Sequence, residues 1–269
     1  MPEIEIDGRP IHYVIAGTGP ETIVFSHGYL MRHQMFADQI AALSKTYRVM
    51  AYDHRGHGQS GRCQAPFGMY DLVDDAERLI DALCEGPVHF AGMSTGGYVG
   101  LRLLLRRPDL IKTLTLIDTG ANAESPASLK KYNQLLFLVR LIGIRPLLGQ
   151  VLPLLFGKAF RHDPAQRDAF KQMKTYIGSL DRTSIRQFGR AIFDRDDVLE
   201  DLRALDNPPP ALIMVGENDI PTPPAYAKAM HAAIKGAALV LVPQAGHTSP
   251  MESPALVTQT IGAFLARQT

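Results

Sequence analysis

Residues able to do chemistry fall at four places along the chain. Gly92-Met93-Ser94-Thr95-Gly96 follows the strand-like run VHFA and opens the helical run TGGYVGLRLLLRR. A strand–turn–helix of this kind holds the central serine in a tight, strained turn and points its Oγ out of the sheet as a nucleophile. Glycines suit positions 92 and 96 because a Cβ there would clash as the two arms of the turn close. His27-Gly28-Tyr29 follows the strand-like run TIVFS. Attack of a hydroxyl on a carbonyl needs N–H donors facing the oxyanion. The N–H groups of Thr95 and Tyr29 are the candidates, with Gly28 letting its loop turn inward. Gly216-Glu217-Asn218-Asp219 follows ALIMV and supplies a carboxylate, and Gly246-His247 follows LVLV and supplies an imidazole. Hydroxyl, imidazole and carboxylate are the set that general-base-assisted acyl transfer requires.

The elements that must position these groups alternate. Strand patterns cover residues 11–16, 22–25, 47–52, 88–92, 114–117, 211–215 and 238–242. Helical patterns cover residues 35–43, 71–83, 95–106, 225–234 and 254–266. Strands separated by helices imply βαβ units and a mostly parallel sheet. Runs such as LIMV and LVLV fit strands buried on both faces. The first two strands are joined by a short turn at Ala16 to Pro20 and should run antiparallel to each other. All four chemical features lie just past the carboxyl ends of strands, the edge where open parallel sheets bind ligands. From about Asn122 to Leu205 the rhythm breaks into helical composition with no convincing strand. The expected organisation is an α/β core in two parts, residues 1–121 and 206–269, with a helical cap inserted over 122–205.

HGY, YDHRGHGQS, GMSTGG, GENDIPTPP and AGHTSPMESP resemble the α/β-hydrolase superfamily, in the branch of capped esterases and 3-oxoadipate enol-lactonase-like hydrolases. The resemblance covers residues 11–118 and 209–265 and leaves the cap uncovered. It implies the α/β-hydrolase fold, a mostly parallel central sheet flanked by helices with an inserted helical cap. It also implies Ser94 as nucleophile, His247 as base, Asp219 as the residue that orients the base, and Tyr29 and Thr95 as oxyanion donors. The order Ser94, Asp219, His247 is that of this superfamily. The implied chemistry is ester or lactone hydrolysis through an acyl-enzyme, with no cofactor and no metal. A serine in place of an aspartate nucleophile disfavours dehalogenase and epoxide hydrolase chemistry. The same fold hosts cofactor-free dioxygenases, perhydrolases, C–C hydrolases and triad-containing signal-binding proteins. Some members place the acid after an earlier strand, which makes Asp118, after TLTLI, a rival to Asp219.

Composition narrows the partners. The chain has 269 residues, 46% hydrophobic and 20% charged, as in ordinary soluble domains. A net charge of +1 argues against a general nucleic-acid binder. The start MPEIEIDG shows no secretory signal, and the apolar stretch from Leu135 to Phe156 carries Arg140, Arg145, Pro146, Gln150 and Pro153, which disfavours a membrane span. A cytoplasmic enzyme with a small-molecule substrate is expected, and a homo-oligomer is compatible with the sequence. That apolar stretch over a catalytic edge would line a pocket for an apolar acyl or ring group, with Met31, Met93, Phe137 and Leu138 as candidate lining residues. His12 and His89 read as structural, and His27 as serving its own loop. A metal site at His54 and His57 lacks an evident third ligand. Asp74 and Asp75 read as a solvated helix face.

Overall fold

The Asp7-Gly8 turn, with φ of 50° and 71°, closes a tight hairpin and starts the sheet. In the computed structural model, which describes residues 2–268, that hairpin joins β1 (Glu3–Ile6) to β2 (Arg9–Ala16). Six more strands follow: β3 (Thr22–Ser26), β4 (Arg48–Tyr52), β5 (Val88–Met93), β6 (Ile111–Ile117), β7 (Ala211–Gly216) and β8 (Ala238–Val242). Their order in the sheet is β1-β2-β4-β3-β5-β6-β7-β8. Pairing is parallel from β4 through β8 and antiparallel where β1 and β2 join. The first two strands read from sequence, now β2 and β3, do run in opposite senses, but β4 lies between them. A short connection did not make them neighbours, because the parallel pairing of β3 with β4 takes that place.

Helices cover both faces. One layer packs α2 (Met69–Leu83), α3 (Thr95–Arg106) and α10 (Pro224–Ala233) on the sheet, and the other packs α1 (Ala37–Leu43) and α12 (Pro254–Leu265). Strands β3, β5 and β7 are buried along their whole length, as strands covered on both faces must be. LVLV does not follow that expectation. It forms β8, the sheet's edge, and Leu241 is 44% exposed.

Between β6 and β7 the described residues form helices and no strand: α4 (Pro126–Ile142), α5 (Leu148–Leu155), α6 (Lys158–His162), α7 (Arg167–Ser179), α8 (Arg182–Phe193) and α9 (Leu199–Arg203), with short 3-10 turns. Ser125 starts α4 by accepting the Ser128 N–H, and Pro126 takes the first helical position, where no N–H is needed. Asp181 caps α8 in the same way, through the Ser184 N–H. These helices are seated on the core by directed bonds. Tyr29 Oη donates to Ile185 O at 2.7 Å, Tyr176 Oη donates to Met31 O at 3.0 Å, and Cys63 N donates to Ser184 Oγ at 3.0 Å. A short α11 (Ser249–Glu252) precedes α12. No helix among the described residues is long and apolar enough to cross a membrane.

Candidate active site

Ser94 joins β5 to α3 with φ 50° and ψ −110°. Such a backbone costs a non-glycine residue about 1–3 kcal/mol and persists only where its surroundings dictate it. Here they do. Ser94 N donates to Ile117 O at 2.9 Å, and Ser94 O accepts from Tyr98 N at 3.0 Å and Thr119 Oγ1 at 2.8 Å. A Cβ at position 92 would lie 2.2 Å from Gly96 O, and one at position 96 would lie 1.9 Å from Ser26 O, so the turn closes only with glycines.

The fold carries three distant side chains to this point. Ser94 Oγ lies 2.9 Å from His247 Nε2, and His247 Nδ1 lies 2.9 Å from both oxygens of Asp219. Asp219 is held in turn by Thr222, whose N–H donates to Oδ1 at 2.9 Å and whose Oγ1 donates to Oδ2 at 2.8 Å. All four residues are buried. A carboxylate facing Nδ1 fixes the proton there and leaves Nε2 to accept from the serine hydroxyl. Burial opposes the positive form of His247, yet the charge and hydrogen bond of Asp219 hold its pKa above the ordinary 6.5.

Asp118 is occupied elsewhere. Its Oδ1 accepts the Gly216 N–H and its Oδ2 the Ser249 N–H, both at 2.8 Å, so it ties the turn before Asp219 to the segment after His247. Burial, then the neighbouring charge of Asp219, pushes its carboxyl up to about 7. Glu252, which sequence reading passed over, braces the imidazole loop. It accepts the N–H groups of Gly246 and Thr248 on either side of His247, and that of Gly157 from the helical region. Its spacing of five residues after the histidine carries no motif by which to find it.

The loop after β3 approaches Ser94 closely, since a Cβ at position 28 would lie 3.1 Å from Ser94 Cβ. The N–H groups of Tyr29 and Thr95 donate to no protein acceptor among the described residues. The YDHRGHGQS loop braces this region. His27 Nδ1 donates to Gly28 O at 2.8 Å while its Nε2 accepts the His54 N–H at 2.9 Å, and His57 Nε2 accepts the Leu30 N–H at 3.1 Å. Burial drives His27 down to about 4 and His57 to about 3, so both are neutral and act as fixed struts. The histidines that do gather around a carboxylate are His12 and His33, at Asp53. That carboxylate is filled by donors: the His33 N–H and ring, and the Gln59 N–H. Asp75 does not lie on a solvated face. It is 1% exposed and takes a two-pronged ion pair from Arg55, at 2.6 Å on each oxygen, because α2 turns that side toward the loop. Asp74, by contrast, is half-buried and pairs with Arg106.

An apolar cavity of about 110 Å³ lies against Ser94 and His247. Leu135, Leu136, Val139, Ile144, Val151 and Leu155 form much of its wall, so the apolar stretch of the helical region lines the cavity that Ser94 borders. The four expected lining residues are not among those in the wall. Met31 and Met93 are packed in the core beneath the site. Phe137 and Leu138 are 57% and 37% exposed, and they border a separate surface depression with Lys130, Asn133 and Gln134. The reason is helical phase: Leu135, Leu136 and Val139 share the inner side of α4, and the two residues between them fall on the outer side.

Comparison with known proteins places these features. A family model described as the alpha/beta hydrolase fold matches residues 21–254. The enol-lactonase of Burkholderia xenovorans LB400 superposes with a TM-score of 0.90 at 29% identity, over 98% of this chain and all of that one. The pimeloyl-[acyl-carrier protein] methyl ester esterase of Nitrosomonas europaea is 27% identical over 91% of this chain and 95% of its own length. The (E)-2-((N-methylformamido)methylene)succinate hydrolase of Acinetobacter baylyi is 28% identical over 96% of this chain and 95% of its own.

Proposed function

The chain belongs to the alpha/beta hydrolase fold family, and from that premise we propose that it hydrolyses a carboxylic ester or lactone of a small, largely apolar substrate through an acyl-enzyme on Ser94. The observation that carries this reading is the unbroken hydrogen-bonded chain Ser94–His247–Asp219 at the wall of an apolar cavity. Residues 122–205 act in it as a cap that supplies most of that wall.

His247 Nε2 takes the proton of the Ser94 hydroxyl as Oγ attacks the carbonyl carbon. The imidazolium that forms is stabilised by Asp219, already in place. The oxyanion is received by the N–H groups of Tyr29 and Thr95, with Thr95 at the N-terminal end of α3, whose dipole favours negative charge. The leaving alcohol takes the proton back from His247. Water, activated by the same imidazole, then releases the acid and restores Ser94. Enol-lactonase, esterase and hydrolase relatives of matching length support this class of reaction.

The test uses p-nitrophenyl butyrate and a fluorophosphonate probe. Wild-type protein should turn over the ester and label covalently. Ser94→Ala should lose the label and about 10⁴-fold or more of kcat. Wild-type protein that neither labels nor hydrolyses any ester would remove the proposal.

A further inference from the structure

Beyond Ser94, His247 and Tyr29, the cavity against Ser94 is apolar except where Tyr98, Glu124, Tyr132 and Arg195 enter its wall. Arg195 is buried and its donors are mostly committed. Nε donates to Asn122 O at 3.1 Å, and Nη1 donates to Glu124 Oε1 and to Ile192 O, each at 2.9 Å. Its guanidinium carbon lies 4.0 Å from the centroid of the Tyr98 ring, and Nη2 is buried without an acceptor. A guanidinium pinned against a ring and two carbonyls has no free fork to offer a carboxylate.

The other three residues have hydrogen-bonding capacity to spare. Glu124 spends one oxygen on Arg195, and its Oε2 meets no donor among the described residues. The hydroxyls of Tyr98 and Tyr132 likewise make no hydrogen bond among the described residues. The Tyr132 ring is fixed by stacking on Phe193 at 4.4 Å, so its hydroxyl is held in position. Burial, and then the field of Glu124, raises the pKa of Tyr132, so its hydroxyl keeps its proton. None of these three atoms is among the buried unpartnered ones, so each is open to a group that enters the cavity. Tyr98 stands four residues along α3 from Ser94, about 6 Å along the helix axis, and both line the same cavity.

We propose that Glu124, Tyr98 and Tyr132 form a polar subsite for an uncharged group of the substrate that carries an O–H or N–H, an alcohol or an amide, and that this subsite turns away a carboxylate. The group donates to Glu124 Oε2 and accepts from a tyrosine hydroxyl. An anion there would meet the charge of Glu124, and Arg195 has only Nη2 to answer it with, since Nε and Nη1 are held by Asn122 O, Glu124 Oε1 and Ile192 O. This inference rests on the ester-hydrolase reading above and names its substrate class.

The experiment compares p-nitrophenyl esters in a graded series of acyl lengths, each ending in methyl, hydroxyl or carboxylate. At the best-fitting length, kcat/KM for the hydroxyl ester should exceed both the methyl and the carboxylate esters by about tenfold. Tyr132→Phe and Glu124→Gln should each bring the hydroxyl-to-methyl ratio toward one. Fluorophosphonate labelling of Ser94 in each variant reports that the site is still assembled. Equal rates for hydroxyl and methyl esters at every length, a preference for carboxylate, or an undiminished ratio in both labelled variants would overturn the subsite. Absence of turnover and labelling in the wild-type protein would instead bring down the hydrolase reading, and the subsite with it.

Discussion

The carboxyl edge of the sheet and the helical region above it are held together on opposite terms. At the edge, buried polar side chains are tied by directed bonds: Asp219 by Thr222 and His247, Asp118 by the N–H groups of Gly216 and Ser249, and Glu252 by those of Gly157, Gly246 and Thr248. Over the cavity, α4, α5 and α8 present leucine, isoleucine and valine, which fill space without fixing direction. Hydrogen bonds have preferred lengths and angles, and dispersion contacts do not. In the proposed reaction the edge sets where a proton goes, and the helical wall sets what size and polarity of molecule is admitted. Substitutions at the edge should act on kcat, and substitutions in the wall on KM and selectivity.

Asp219→Asn should break the edge most severely. It presents an amide to Nδ1, favours the wrong tautomer, and should lower kcat by about 10⁴-fold in ester hydrolysis with the fold intact by circular dichroism. Asp118→Asn puts an amide N–H against one of two buried N–H groups. It should cost about 1–3 kcal/mol in denaturant unfolding, and much less of kcat than the change at Asp219. A similar loss of kcat from both would erase the distinction between the carboxylate at the imidazole and the one that braces its loop.

The pH profile sharpens the same contrast. His247 must be neutral to accept the serine proton, so kcat/KM should fall on the acid side, about tenfold per pH unit well below the midpoint. Because Asp219 raises the pKa of the imidazole, that midpoint should lie above pH 6.5. In the residual activity of Asp219→Asn it should move to lower pH, since the charge that favours the imidazolium is gone. A wild-type midpoint below 6.5 would contradict the geometry of the pair.

In the wall, Leu136→Ala should enlarge the cavity and shift the preferred acyl chain to greater length. KM for the original best ester should rise several-fold, as expected when apolar contacts worth about 1–3 kcal/mol are removed. Phe137→Ser, one position along on the outer side of α4, should leave kcat, KM and chain-length preference unaltered, and stability within about 0.5 kcal/mol. If the two substitutions exchanged effects, the assignment of inner and outer sides of α4 would be reversed.

Local pattern determined much of this protein. Strand–helix alternation is written in hydrophobic spacing, so the parallel sheet and the helices of residues 95–106 and 254–265 were legible nearly to their ends. That Ser94, Asp219 and His247 come together could be read for the same reason, since each lies just past a strand pattern, and strand ends in a parallel sheet share one edge. Tertiary structure alone decided between Asp219 and Asp118, because both follow strands and only the relative placement of β6, β7 and the His247 loop puts one of them at Nδ1. It alone decided that Leu136 faces the cavity and Phe137 the outside, that Asp75 is buried under Arg55, and that Glu252 braces the imidazole. Each of these depends on which surfaces meet across tens of residues or more, and hydrophobic periodicity records only that a side is covered, not by what.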